Sequence, residues 1–148
     1  MSLPNATAAL SSFTMGDYDE VYAMWQRCEG VGLSSADSRP NIAAYLDRNP
    51  GMSFVAKYED TIVGAILCGH DGRRGYIHHL AVLDNYRRQG IGRQLVKWVL
   101  TALHAEEIQK CHLFIFNENE AGISFWQSIG WIFRQDIRVM STTISEGN

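Results

Sequence analysis

Apolar residues recur along this chain with two different periods, and the switches between them set out its elements. A short, partly alternating run from Ala8 to Met15 predicts a first strand. Val21, Met24, Trp25 and Cys28 then share one helical face, expected to be core, with Asp17 placed to cap the helix. Glycines and serines from Glu29 to Asp37 predict a loop. Pro40 suits the first turn of a second helix running to about Asp47, which Asn49-Pro50-Gly51 ends. Ser53 to Tyr58 and Thr61 to Cys68 read as an antiparallel pair turning at Glu59-Asp60. A further hairpin, turning at Asp71 to Gly75, leads into a strand from Tyr76 to Leu83. The helical period returns at Ile91, Leu95, Val96, Val99, Leu100 and Leu103, in a helix expected to end near Ala105. His112 to Phe116 reads as a buried strand. Asn119 caps a helix reaching about Ile129, stopped by Gly130, and Ile132 to Thr143 supplies a last strand before a frayed tail at Ser145–Asn148. Hairpins first, then helices alternating with strands, predict an α/β fold: a single mixed, mostly antiparallel sheet flanked by helices, in one domain over residues 1–148.

Composition narrows what such a domain does. The 148 residues suffice for a hydrophobic core, and 46% hydrophobic against 20% charged residues is ordinary for a soluble globular protein. A net charge of −3 argues against an extended nucleic-acid surface, while local positive charge remains available. Cys28, Cys68 and Cys111 are odd in number, far apart and without metal-ligand spacing. Buried thiols in a reducing compartment are therefore expected, with no disulfide framework and no metal. Met1 to Ala6 has neither a basic nor an apolar leader pattern, and no window approaches the length of a membrane span. No membrane partner is expected, and the cytoplasm is the default location.

The point where strand period gives way to helix period carries the most chemistry. Asp84-Asn85-Tyr86-Arg87-Arg88-Gln89-Gly90 stands there, followed by Ile91-Gly92-Arg93. A helix beginning here leaves its first N–H groups unpartnered and points the positive end of its dipole at the loop. Gly90 and Gly92 have no side chain to hold a ligand off the backbone, and Arg87, Arg88 and Arg93 add charge. Together they describe a phosphate cradle, although a tight turn with solvated arginines would use the same residues. A P-loop requires Gly-Lys-Ser/Thr, whereas Gly92 is followed by Arg93-Gln94. A dinucleotide fingerprint requires a small residue where Leu95 stands, and an acid about 20 positions on, where Cys111 and His112 stand.

Arg87, Gly90 and Gly92, preceded by a strand ending in Ala81-Val82, resemble the acetyl-CoA-binding motif of the GCN5-related N-acetyltransferase superfamily, Gln/Arg-x-x-Gly-x-Gly/Ala. A second family segment, Asn-x-x-Ala-x-x-Phe-Tyr followed by Gly-Phe, resembles Asn119-Glu120-Ala121-Gly122-Ile123-Ser124-Phe125-Trp126 and Gly130-Trp131. The two segments have the family's order and about its separation. The resemblance covers Ser53 to Phe133 well and the first half more loosely. It implies the family's fold and an N-acetyltransferase that moves an acetyl group from acetyl-CoA to a primary amine of an unidentified small molecule or protein. The cofactor residues it implies are Arg87, Arg88, Gln89, Gly90, Ile91, Gly92 and Arg93 in the loop, with Asn119, Phe125 and Trp126 in the second segment. The backbone of Leu80, Ala81 and Val82 would pair with the pantetheine arm. The helix–loop–helix of the first half would wall the acceptor pocket, where Glu29 and Asp37 meet either a cationic amine or only water. A homodimer is compatible with this reading.

Removing the amine's proton calls for a base. Strand alternation predicts Tyr76, His78, Leu80 and Val82 on one face, toward the cofactor cleft, and a structural His79 on the other. His78 is thus the candidate catalytic base, at a place where the arylalkylamine N-acetyltransferase branch resembles this strand with a histidine. Trp126 stands where the family usually has the tyrosine that protonates the departing thiolate. An indole N–H does not give up its proton near neutrality, so Trp126 holds the position of the acid without its chemistry. The alternative to an enzyme is a non-catalytic acyl-CoA-binding sensor that keeps the grip and has lost the acid.

Overall fold

The hairpin pattern builds a sheet whose strands lie side by side in chain order. The computed structural model describes residues 8–145. Its five strands are β1 (Ala9–Ser12), β2 (Phe54–Tyr58), β3 (Thr61–His70), β4 (Gly75–Val82) and β5 (Cys111–Leu113). The junctions from β1 to β4 are antiparallel and β4–β5 is parallel, so the sheet is mixed and mostly antiparallel. Around it lie α1 (Tyr18–Arg27), α2 (Arg39–Arg48), α3 (Ile91–Ala105) and α4 (Glu120–Ser128).

β3 is apolar and buried from Ile62 to Gly69 because both of its faces are covered there. Ile66 and Cys68 join Ile77 under Ile91, Leu95, Val96, Val99 and Leu103 of α3. Ala65 and Leu67 join Val55 and Ala81 under Val21, Met24 and Trp25 of α1 and Ile42 of α2. Ser38 caps α2 and Asn119 caps α4, the latter accepting the Gly122 N–H at 2.9 Å. Asp17 does not cap α1 through its side chain. Its carboxylate turns back to the Thr14 N–H at 3.0 Å, closing a 3₁₀ turn (Met15–Asp17) that leads into the helix. No helix of the described residues is long and apolar enough to cross a membrane.

Two expected elements differ. The strand expected over His112–Phe116 pairs only as Cys111–Leu113 and is half-buried, and Phe114 and Phe116 are exposed beyond it. The strand expected over Ile132–Thr143 is not formed. Strand-forming residues need a ladder to join, and Ile137, Val139 and Met140 of this segment lie exposed. Arg134 and Asp136 clasp each other across a bend, with hydrogen bonds of 2.8 Å from Nε and from Nη2. The start of the chain through Thr7, and the expected tail from Glu146, lie outside the described residues.

The consequence for function lies at β4. Its parallel ladder with β5 covers only Gly75 to Ile77 against Cys111 to Leu113. From His78 onward β4 keeps β3 on one edge and, among the described residues, has no strand on the other. The β3–β4 ladder also slips there: Leu67 faces His79 while Cys68 faces Ile77, which leaves His78 as an extra residue, a β-bulge.

Candidate functional site

The bulge decides where the two histidines go. Strict alternation would put His78 with Leu80 and Val82 and turn His79 away. Two residues opposite one break that alternation. Ile77, Leu80 and Val82 pack into the core under α3, whereas Ala81 belongs to the core under α1 and α2. The His79 ring meets Trp25 of α1 edge-on at 4.8 Å, and the His78 ring meets Tyr45 of α2 edge-on at 5.4 Å. Both histidines therefore line one cavity of about 300 Å³, walled also by Gly32, Ser34, Asp37, Asn41 and Tyr45. The expected separation of His78 from His79 is corrected: they share a pocket on the α2 side.

His79 is held by a carboxylate. Its Nε2 lies 2.7 Å from Asp37 Oδ1, and Asp37 is only 5% exposed. The other carboxylate oxygen accepts the Ser34 N–H at 3.0 Å, and the Asp37 carbonyl accepts the Tyr18 hydroxyl at 2.6 Å. Asp37 ends a 3₁₀ turn (Ser35–Asp37) whose first turn is boxed by Ser34. Burial opposes ionisation of Asp37, but the hydrogen bond and charge of His79, with the Ser34 N–H, hold its pKa below the ordinary carboxylate value. His78 keeps an exposed surface, but partial desolvation at the cavity wall pulls its pKa below the ordinary histidine value, a proton on His79 would lower it further, and Asp37 acts the other way. Glu29, the other carboxylate of the expected loop, is exposed.

Across the sheet, the start of α3 is open. Gly90 is its N-cap at φ +84°, a left-handed conformation that favours glycine. The Gln94 N–H reaches back to the Gly90 carbonyl at 2.9 Å, so the N–H groups of Ile91, Gly92 and Arg93 precede the first helical bond. No side chain caps them. A Cβ on Gly92 would stand 3.2 Å from Phe125 Cζ and 3.8 Å from Val82 Cγ2, so the missing side chain lets β4, α3 and α4 converge. The three arginines divide. Arg87 folds back, donating from Nε to the Val82 carbonyl at 3.1 Å and pairing with Asp84 at 3.1 Å, and so pins the loop. Arg88, at φ +64°, Gln89 and Arg93 are exposed.

The second segment is placed less openly. Asn119 lies under the α1–α2 connection, where a Cβ on Gly30 would come 2.6 Å from its Nδ2. A Cβ on Gly32 would come 2.7 Å from Phe116 Cζ. That connection thus reaches from α1 across to the approach to α4. Phe125 backs Gly92, and Trp126 is packed between Phe125 at 5.3 Å and Trp131 at 4.7 Å. Tyr45 and Asn41 were missed by sequence reasoning and carry no local mark. Ordered placement of Asp37 had one, since Ser34-x-x-Asp37 is capping-box spacing. Among the described residues no group of His, Cys, Asp and Glu is arranged to hold a metal ion.

The model of the acetyltransferase (GNAT) family matches residues 18–131. An acetyltransferase of Sodalis glossinidius is 28% identical over 134 residues, which cover 90% of this chain and 94% of that protein. Naa50 of Arabidopsis thaliana, solved with the bisubstrate analogue CoA-Ac-MVNAL, is similar with a TM-score of 0.65 at 24% identity, covering 84% of this chain and 82% of its own. An aminoglycoside acetyltransferase from an uncultured soil metagenomic sample, solved with sisomicin, gives a TM-score of 0.73 at 17% identity, over 97% of this chain and 100% of its own. At these identities the structural likeness speaks for the fold.

Proposed function

This chain belongs to the acetyltransferase (GNAT) family, and we propose that it is an N-acetyltransferase taking acetyl-CoA at the start of α3 and a primary amine in the cavity between α2 and β4. The observation that carries the reading is the position of the open β4 edge. It has an uncapped helix start with two glycines at one end and a pocket lined by two histidines beside it. The phosphates would be held by the N–H groups of Ile91, Gly92 and Arg93, with Arg88 and Arg93 adding charge. The strand edge from Leu80 to Val82, where the Val82 carbonyl already accepts from Arg87, would take the pantetheine arm. Acetyl-CoA supplies a thioester, whose carbonyl carbon is open to attack and whose thiolate can leave.

The residues of the chain then manage protons. The amine nitrogen forms a C–N bond to the carbonyl carbon as the C–S bond breaks. The proton lost by nitrogen goes to His78, which its surroundings keep unprotonated near neutrality. The departing thiolate takes its proton from water, since Trp126 is packed among aromatic rings and its indole is no acid in this range. Trp126→Phe is therefore expected to change turnover by less than about tenfold, measured beside acetyl-CoA affinity. A loss above about a hundredfold with normal affinity would assign the indole N–H a role in the transition state. Arg88→Ala is expected to weaken acetyl-CoA by about 1–3 kcal/mol, and to flatten the dependence of affinity on salt, because a charge-assisted contact is lost. Calorimetric titration at two ionic strengths checks both.

The test of the function is release of free CoA thiol over a panel of amines. The solved relatives named above carry a CoA–peptide analogue and an aminoglycoside. The panel accordingly holds peptides with a free N-terminus, a lysine side chain, a polyamine and an aminoglycoside. Amine-dependent release supports the enzyme; binding of acetyl-CoA with no amine-dependent release would leave the sensor.

A further inference from the structure

The proposed reaction uses His78 and leaves a buried ion pair beside it without a task. Burying a carboxylate is costly unless it is paired, and a buried pair is weak evidence of stability. Asp37 and His79 are nevertheless joined at 2.7 Å on the wall of the same cavity that His78 lines. Resting on the N-acetyltransferase reading, we propose that Asp37 and His79 form a positioning pair, latching the α1–α2 connection to β4 at the bulge and holding His78 toward the amine.

The geometry gives the pair two consequences. First, it fixes both sides of the acceptor cavity relative to each other. Asp37 is tied to its own turn through Ser34 and to α1 through the Tyr18 hydroxyl, so its bond to His79 joins that rigid corner to the strand. His78 follows from the same arrangement, with His79 anchored next to it in the chain and the Tyr45 ring set against it. A bulge residue has no cross-strand partner to hold it, so these neighbours set its direction.

Second, the pair governs the charge His78 feels. The titratable and charged groups facing this corner are Tyr18 from α1, Asp37 from the connection, Tyr45 from α2, Arg39 from α2, which sits over the Tyr18 ring and pairs with Asp19, and His79 from β4. Burial raises the pKa of both phenols, so Tyr18 and Tyr45 stay neutral where the enzyme works. With Arg39 paired to Asp19, Asp37 and His79 remain. A proton on His79 disfavours one on His78, and Asp37 favours one less strongly. When the Asp37-bound imidazole of His79 carries a proton, it disfavours a second one on the neighbouring base.

The variants separate this role from a brace. His79→Gln retains an N–H donor toward Asp37 and removes the charge, while the pull of Asp37 on His78 persists. Losing that charge moves the His78 pKa upward, so the acidic limb of kcat/KM for the amine is expected to move to higher pH. Asp37→Asn releases the latch and is expected to raise KM for the amine roughly tenfold, as for one lost charge-assisted bond, with KM for acetyl-CoA unchanged. Thermal unfolding reports whether each variant is folded; should Asp37→Asn fail, the limb of His79→Gln decides alone. An active wild type whose acidic limb is unmoved in folded His79→Gln overturns this inference and leaves the enzyme reading intact. A wild type that releases no CoA with any amine overturns the enzyme reading and this one with it.

Discussion

Gly92→Val is expected to lose more than about a hundredfold in acetyl-CoA affinity while the protein stays folded. The cradle works because backbone N–H groups approach the ligand with nothing between them, and charge-assisted bonds of this kind contribute about 1.5–3 kcal/mol each. Displacing the ligand from two of them already exceeds the about 2.7 kcal/mol that a hundredfold requires. A valine here touches Val82 Cγ2 at 3.8 Å and presses on the Phe125 ring, whose Cζ a Cβ would meet at 3.2 Å, and its branch is expected to crowd the N–H groups of the helix start. That ring is the far end of a side chain on α4 and can yield. The φ of Gly92 is not in the left-handed region, so the backbone accepts a side chain. The same change at Gly90, at φ +84°, would strain the helix start and confuse binding with folding. Calorimetric titration with acetyl-CoA, alongside thermal unfolding, checks the expectation. Unchanged affinity in a folded variant would place the cofactor elsewhere.

His78→Gln is the second large effect. Turnover should fall roughly 10²–10⁴-fold, the usual contribution of a positioned base. Glutamine keeps much of the size and a hydrogen-bonding end, so the edge contact with Tyr45 and the bulge should survive. KM for acetyl-CoA should stay unchanged, because the cradle lies at the other end of β4. The acidic limb of the rate profile should also disappear. In the wild type that limb belongs to a histidine whose pKa partial desolvation and a neighbouring charge have lowered, so it lies below the ordinary histidine value. Activity and limb both surviving would make the proton acceptor bulk water.

The parts of this architecture written in local order were legible before the fold. Glu59-Asp60 and Asp71 to Gly75 sit between apolar runs and mark the turns that hold β2, β3 and β4 together. The stripe from Ile91 to Leu103 is buried as its period implies, except at Leu100, which is 40% exposed. The glycines of the cradle announce themselves because only their spacing lets a helix begin against a ligand. The pocket was less legible, for a physical reason. His78 and His79 look like two alternating strand residues, and nothing local to them shows that the β3–β4 register slips there. A bulge is a property of two strands together. Asp37 reaches His79 only once α1, its connection and β4 have packed, so the carboxylate reads in sequence as one more solvated loop acid. Arg87 looks like the third charge of the cradle until the Val82 carbonyl is found within its reach. At the other end, Ile137 and Val139 have the composition of a strand and no ladder to join.

The central claim is that acetyl bound through the start of α3 ends on an amine held beside His78. Its most direct test is acetyl-CoA labelled in the acetyl group, mixed with the amine panel, with the products followed by mass and by free thiol. The account predicts labelled acetyl on an amine nitrogen, one for each CoA released, with the yield collapsing in Gly92→Val and in His78→Gln. Tight acetyl-CoA binding with no label on any amine, and thiol release no faster than hydrolysis, would contradict it.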